Sequence, residues 1–222
     1  MRLDAPGAVV FDMDGLLLDT ERQALEGFLH ACSVHGVTPN LPTYHRCIGR
    51  RSRDTRRILI DGHGPGFPYD DVVAEWHAYH AAHFRTRPPP VKAGAREVLE
   101  TVRKAGLPCA LATSTREPGA TDRLSAVALE GYFDAKVTGD RIERGKPDPE
   151  IYLVAAAELG IEPASCWAFE DSANGVRAAL GAGLCVVQIP DLVEPDEEVR
   201  SLGQVIVPSL QVANELLLAA LT

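Results

Sequence analysis

The sequence predicts an α/β fold in three layers, a parallel sheet with helices on both faces, carrying one inserted helical unit. Three features of the 222 residues point to it. Short apolar runs lack the polar alternation of half-exposed strands, as strands buried on both faces do. Helical periodicities separate these runs, the pattern of crossover connections. One long stretch offers helices only, far more chain than a single crossover needs.

Taken in order, Ala8-Val9-Val10-Phe11 is the first strand and stops at Asp12. From Asp19 to Pro90 come helix-like segments at Glu21–Val34, Arg53–Ile60 and Asp70–His83, with the loop Asp61-Gly-His-Gly-Pro-Gly-Phe-Pro between the last two. Arg87-Pro88-Pro89-Pro90 closes the stretch as a stiff linker. The expected division is a discontinuous core, residues 1–18 and 91–222, and a helical cap over residues 19–90. After the cap, helices at Gly94–Ala105, Glu117–Leu129, Pro149–Leu159, Ala173–Leu180 and Leu210–Leu221 alternate with strand-like runs. Those runs are Pro108–Ala112, Ala135–Val137, Cys166–Phe169, Leu184–Val187 and Val205–Val207. Gly106, Gly131, Gly160, Gly181 and Gly183 read as helix stops, and Asp191–Glu198 as a solvated acidic loop.

Composition narrows the function. Hydrophobic residues at 45% and charged residues at 24% exclude a disordered or fibrous chain. Lys and Arg number 22 against 31 Asp and Glu, a net charge of −9, which disfavours nucleic acid or an anionic membrane as partner. Apolar runs such as Leu216–Leu221 are too short to span a bilayer. No signal peptide is expected from the N-terminal residues, so the protein is expected to be cytoplasmic. The five cysteines form no C-x-x-C and are expected to be buried, reduced thiols. A monomer or weak homodimer is expected.

Three apolar runs end in side chains that can do chemistry: Asp12-Met13-Asp14-Gly15, Thr113-Ser114-Thr115 and Glu170-Asp171-Ser172. In an open parallel sheet ligands collect beyond such strand ends. Like charges ~4 Å apart repel by about 4 kcal/mol at an effective dielectric of 20, so several carboxylates brought together call for a cation or raised pKa values. Oxygen-only ligands suit a hard ion, Mg²⁺ first. Side chains alternate along an extended segment, so Asp12 and Asp14 can point the same way, one in line with a phosphorus atom and the other at the ester oxygen. That arrangement suits covalent phosphoryl transfer, with Asp12 attacking and Asp14 moving the proton. Thr113, the Ser114 amide and Lys146 would hold the phosphoryl oxygens. Singly, each has a plainer reading: Thr113 as a helix cap, Glu170 and Asp171 as first-turn acids, Lys146 as a solvated charge.

Phe11–Glu21 (FDMDGLLLDTE), Leu111-Ala-Thr113-Ser, Gly145-Lys146-Pro-Asp-Pro-Glu-Ile-Tyr and Phe169-Glu170-Asp171-Ser172-x-x-Gly175 occur in this order. Together they resemble the haloacid dehalogenase superfamily, in its capped phosphatase and β-phosphoglucomutase-like branch. The resemblance implies a Rossmann-like core, Mg²⁺ and a phospho-aspartyl intermediate. It implies Asp12 as nucleophile and metal ligand, and Asp14 as general acid/base that gives its backbone carbonyl to the metal. Thr113, Ser114 and Lys146 would bind phosphate, and Asp171 would ligate the metal with Glu170 beside it. Sugar phosphomutases of this branch carry a histidine twelve residues after the nucleophile, where this chain has Ala24. Water is therefore the expected acceptor. The segment from Phe11 to Arg22 is also similar to pseudouridine 5′-phosphate phosphatases, but only over the shared catalytic loop.

The expected activity is hydrolysis of a small phosphate monoester: a sugar phosphate, sugar-acid phosphate or nucleoside monophosphate. The rivals are a sugar phosphomutase, a dehalogenase and a phospho-acceptor signalling domain. Substrate choice is expected from the cap, where Arg46, Arg50, Arg51, Arg53, Arg56 and Arg57 cluster. On a helix Arg50, Arg53 and Arg57 would share one face, and Arg50 and Arg53 are the candidates to reach the site. His77, His80 and His83, with His63 upstream, lack a completing ligand and are read as a solvated helix face.

Overall fold

A computed structural model describes residues 3–83 and 87–222; residues 1–2 of the expected core and 84–86 of the expected cap lie outside it. Six parallel strands form one sheet: β1 (Ala8–Phe11), β2 (Cys109–Thr113), β3 (Ala135–Thr138), β4 (Cys166–Glu170), β5 (Cys185–Gln188) and β6 (Val205–Ile206). Their spatial order is β3-β2-β1-β4-β5-β6. Successive residues of each strand face opposite ways, and the sequence fills the two faces differently. Val9, Phe11, Leu111 and Phe169 pack on one side, where the Phe11 and Phe169 rings stack at 5.0 Å across the β1–β4 register. Ala8, Val10, Ala110, Ala112 and Ala168 face the other.

The larger side chains are covered by α5 (Ala95–Lys104), α6 (Glu117–Ala126) and α10 (Leu210–Ala220). The alanine-rich face lets α7 (Glu150–Leu159) and α8 (Ala173–Gly181) approach closely through Ala155, Ala156, Ala178 and Ala179. This is the expected Rossmann-like α/β core.

Between β1 and α5 stand α1 (Glu21–Val34), α2 (Leu41–His45), α3 (Ser52–His63) and α4 (Tyr69–His83), which bury their own cluster around Phe28, Tyr44, Leu59 and Val72. The connections in and out of this helical unit run together. Leu18 bridges Val91, the Asp19 amide donates to the Pro90 carbonyl at 2.8 Å, and the Lys92 amide donates to the Leu17 carbonyl at 2.9 Å. Both strands of chain thus cross at one place, beside the end of β1.

Several local expectations need correction. Helix α2 was unforeseen; Asn40 caps it by accepting from the Thr43 amide. The acidic segment 191–198 is not simply solvated: Asp196 caps a short helix, α9 (Glu197–Arg200), and Asp191 is buried between Lys92 and Arg22. Gly160 ends α7 in the left-handed region, as a stop signal should, but Gly181 is the last residue of α8 and Gly131 lies inside a 3₁₀ turn, Glu130–Tyr132. Helix α6 stops at Ala126, short of the expected Leu129. The described cysteines are all free thiols, four of them buried. Among the described residues no helix is long and apolar enough to cross a membrane.

Candidate active site

The strand order places β1 between β2 and β4, so the three motif-bearing strand ends are neighbours. The chain reverses its direction of travel across the sheet between β1 and β4, the crevice where ligands of such sheets bind. The Asp12 amide still follows the ladder, donating to the Phe169 carbonyl at 3.1 Å, and this fixes Asp12 against the end of β4.

Lys146 reaches this point fully buried. Its ammonium donates to Asp12 Oδ1 at 2.5 Å, Glu170 Oε1 at 2.6 Å and the Ala112 carbonyl at 3.0 Å. Burial alone would lower the Lys146 pKa, but the Asp12 and Glu170 carboxylates raise it above the ordinary lysine value, so the ammonium stays charged.

Glu170 is saturated with donors. Oε1 also accepts from the Tyr152 hydroxyl at 2.6 Å, and Oε2 accepts from the amides of Asp171 and Ser172 and from the Ser172 hydroxyl. Gly175 makes room for this arrangement, since a Cβ there would overlap the Glu170 carboxylate.

Asp12 and Asp171 are in a different position. One ligand atom from each of Asp12, Glu170 and Asp171 lies within 4.8 Å of the others. Lys146 meets only one oxygen of Asp12, and no described residue donates to the Asp171 carboxylate. Burial, outweighing Lys146, pushes Asp12 up to about 8. Burial and the charges of Glu170, Asp12 and Glu21 push Asp171 well above the carboxylate range. Buried oxygens of hard character, short of donors and crowded by like charge, fit a divalent cation such as Mg²⁺. Gly15, at φ +87°, turns the chain here; a Cβ on it would overlap Asp171 Oδ2, so only glycine lets the first loop come this close to the acid.

Asp14 sits apart from that group. Its Oδ1 accepts from the Thr20 hydroxyl at 2.6 Å and from the Arg123 guanidinium at 2.5 Å, and its Oδ2 from the Thr115 hydroxyl at 2.7 Å, with Thr113 farther off at 3.4 Å. Burial would raise its pKa, but Arg123 and the three short hydrogen bonds lower it. Thr113 also accepts from the Thr115 amide.

The motif residues Asp12, Asp14, Thr113, Lys146, Glu170 and Asp171 therefore converge, while Ser114 turns its hydroxyl to the helical unit, donating to the Gly49 carbonyl at 2.7 Å. The cap arginines depart from expectation. Arg50 precedes α3 instead of lying on it and donates to the Arg46 carbonyl, so Arg50 and Arg53 share no helix face. Arg53 donates to the carbonyls of Ile142 and Glu143. The buried arginine is Arg51, paired with Asp54 and donating to the carbonyls of Ile142 and Glu143 at 3.0 Å. Arg57 is exposed beside Asp61.

The sequence reading missed Thr20, Thr115, Arg123, Glu21 and Tyr152. Glu21 opens α1 beside the acids; burial and the charges of Asp14, Asp12 and Asp191 push it up to about 8. Thr20 and Glu21 abut the first motif and could have been suspected from that alone. Tyr152 closes the Gly145–Tyr152 motif without having been given a role, and nothing local marks Arg123. His80 is half-buried, not solvated as expected, and its pKa is lowered by burial, Arg123 and His77.

The haloacid dehalogenase-like hydrolase family model matches residues 6–183. A phosphorylated carbohydrates phosphatase of Thermotoga maritima is 36% identical over 181 residues, 80% of this chain and 82% of that protein. Hexitol phosphatase A of Escherichia coli is 31% identical over 207 residues, 89% of this chain and 92% of its own. Among solved structures, a hydrolase from Pseudomonas syringae superposes with a TM-score of 0.79 at 26% identity, covering 94% of this chain and 97% of that one.

Proposed function

The chain belongs to the haloacid dehalogenase-like hydrolase family, on its phosphatase side, and we propose that it hydrolyses a small phosphorylated carbohydrate through a phosphoryl group carried on Asp12. The observation that carries this reading is the Asp12 carboxylate at the central strand end, held by Lys146 at 2.5 Å on one oxygen and grouped with Asp171. The substrate class is supported by the printed activities of the two phosphatases above; sugar-acid phosphates and nucleoside monophosphates belong on the same test panel.

Asp12 and Asp171, with the Asp14 backbone carbonyl, would hold Mg²⁺, and Glu170 would stand behind them as the acceptor that fixes Lys146. When bound, the ion supplies positive charge that offsets the carboxylates and the phosphoryl oxygens. Asp12 then attacks phosphorus through a carboxylate oxygen, and the bond from phosphorus to the ester oxygen breaks. Asp14, once its carboxylate has left Arg123 and taken up a proton from solvent, gives that proton to the departing oxygen. Water next attacks the phosphorus of the acyl phosphate, Asp14 takes a proton from it, and phosphate leaves with Asp12 restored. Thr113 and the Ser114 amide would bind non-bridging oxygens, and charged Lys146 keeps the carboxyl of Asp12 oriented through both steps.

Residues 19–90 act in this reading as a cap hinged at the paired linkers. Its grip on the core is visible in Arg51 and Arg53 on the Ile142 and Glu143 carbonyls, in Ser114 on Gly49 and in Asn174, which donates to the Ile48 carbonyl at 2.7 Å. Such a closed cap keeps bulk water from the acyl phosphate. Arg50 and Arg53 remain the cap arginines proposed to meet substrate, which requires them to leave the Arg46, Ile142 and Glu143 carbonyls that hold them here. The enzyme would work in the cytoplasm as a monomer or weak homodimer. Ala24 speaks for water over a second sugar hydroxyl as acceptor.

The test is phosphate release across sugar phosphates, sugar-acid phosphates and nucleoside monophosphates, with Mg²⁺ and with chelator. Release that requires Mg²⁺ and favours the carbohydrates supports the proposal. No release from any ester overturns it, and conversion of a hexose 1-phosphate to its 6-isomer would favour the mutase.

A further inference from the structure

Asp14, the residue assigned to proton transfer, offers no open oxygen. Oδ1 is held by Thr20 and Arg123, Oδ2 by Thr115, and its carboxylate is not among the three acids grouped within 4.8 Å. To reach an ester oxygen beside Asp12 the carboxylate must leave Arg123. Arg123 is rooted beside this place, because Ala120 and Leu124 on either side of it are fully buried in the main core and fix its helix. Departure of Asp14 leaves a partly buried guanidinium, 28% exposed, without its paired carboxylate, and the other acid in its field, Glu21, forms no ion pair with it. A charge in that position is costly unless another anion replaces the one lost.

We infer that Arg123 is a specificity residue that binds a second anionic group, carboxylate or phosphate, on the leaving group of the substrate, and that this exchange frees Asp14 for proton transfer. The planar fork of the guanidinium matches either anion with two parallel hydrogen bonds. The second group lies no farther from the ester oxygen than one aspartate side chain can swing, a gap that a short carbon skeleton spans. The site is reachable, since Asp14 is 18% exposed, and His80 of cap helix α4 lies near enough to feel the charges of both Arg123 and Asp14. A neutral leaving group has nothing to exchange for Asp14 and binds against the intact ion pair.

This inference rests on the phosphatase reading and deepens it. The experiment compares kcat and KM for three esters of one skeleton: 2-hydroxyethyl phosphate, 2-phosphoglycolate and ethylene glycol bisphosphate. They are measured on the full chain with Mg²⁺, alongside Arg123→Ala and Arg123→Gln, which guards against a folding defect in the alanine variant. The parent is expected to favour at least one anionic ester over the neutral one by tenfold or more in kcat/KM. Both variants should lose at least tenfold of that preference, mainly through KM for the anionic ester. A preference for phosphoglycolate that collapses identifies a carboxylate; one for the bisphosphate identifies a second phosphate. A merely structural role would lower all three substrates alike, and a preference ratio within threefold of the parent overturns the assignment while leaving the phosphatase intact. Failure of the parent to release phosphate from these esters and from every ester of the sugar-phosphate, sugar-acid phosphate and nucleoside monophosphate panel overturns the phosphatase reading, and this inference with it.

Discussion

Replacing Lys146 by methionine keeps the aliphatic length and removes the one charge that sits between two buried carboxylates. The wild-type ammonium is wholly inaccessible and makes three hydrogen bonds, to Asp12 at 2.5 Å, Glu170 at 2.6 Å and the Ala112 carbonyl at 3.0 Å. Removing one partner of a buried ion pair costs about 3–5 kcal/mol, because the other partner is left uncompensated. Glu170 keeps Tyr152, Ser172 and two amides as donors, but Asp12 loses its one donor among the described residues. For a chain of this length that loss lowers the melting temperature by roughly 6–20 °C. The loss depends on pH. Asp12 titrates at about 8 even with Lys146 beside it, so at pH 5.5 it is protonated and needs no counter-ion, whereas at pH 9 it is charged. Urea unfolding of parent and Lys146→Met in chelator at the two pH values reads the difference, which should be larger at pH 9. A loss below about 1 kcal/mol, or an equal loss at both pH values, would refute the electrostatic account of Lys146.

Three further outcomes are expected. Asp14→Asn should lower kcat by roughly 10²–10⁴-fold and also lower stability, since Arg123 loses its paired carboxylate; steady-state kinetics of the folded variant that match the parent would count against proton transfer at this residue. Asp12 holds its proton more tightly folded than unfolded, with a folded value of about 8 against an ordinary 3.8, so its contribution to the stability of the metal-free protein should be lost as pH rises from about 5 through 8, whereas Asp14, held low by Arg123, acts in the opposite direction at lower pH. Added Mg²⁺ should restore the loss at high pH and do little below it; thermal melts that are flat with pH would disagree. Gly175→Ala places a methyl on the Glu170 carboxylate and should cost about 3 kcal/mol or more, read by urea unfolding, while Gly66→Ala, where a Cβ meets nothing within 4 Å, is the control and should leave unfolding nearly unchanged.

The legible parts of the molecule were those with a local cause. Strands β1, β2 and β4 announce themselves because burial on both faces keeps them apolar up to their ends, and the polar residues at the last strand position or just after it, Asp12, Thr113, Glu170 and Asp171, are then the functional ones. Helices α2 and α9 were illegible because each is too short to show a period and is held by a cap: Asn40, itself bonded to His63, and Asp196. The site divides in the same way. Asp12, Thr113, Lys146 and Asp171 stand in motifs whose spacing follows from strand-loop geometry. Arg123 reaches Asp14 across 109 residues of sequence and Tyr152 reaches Glu170 from α7. Such partners are set by how helices pack on the sheet. The arginine cluster misled for a related reason: the chain is not helical until Ser52, so the periodicity that pairs Arg50 with Arg53 does not apply, and Arg51 at the helix entrance turns inward instead.

The central claim is that Asp12 carries the phosphoryl group. Acid quenching during turnover of a labelled ester with Mg²⁺, followed by peptide mapping, tests it most directly. The account predicts an alkali-labile phosphoryl group on Asp12, with label and turnover both absent from a folded Asp12→Asn protein. Label on another residue, or undiminished turnover in that variant, would contradict it.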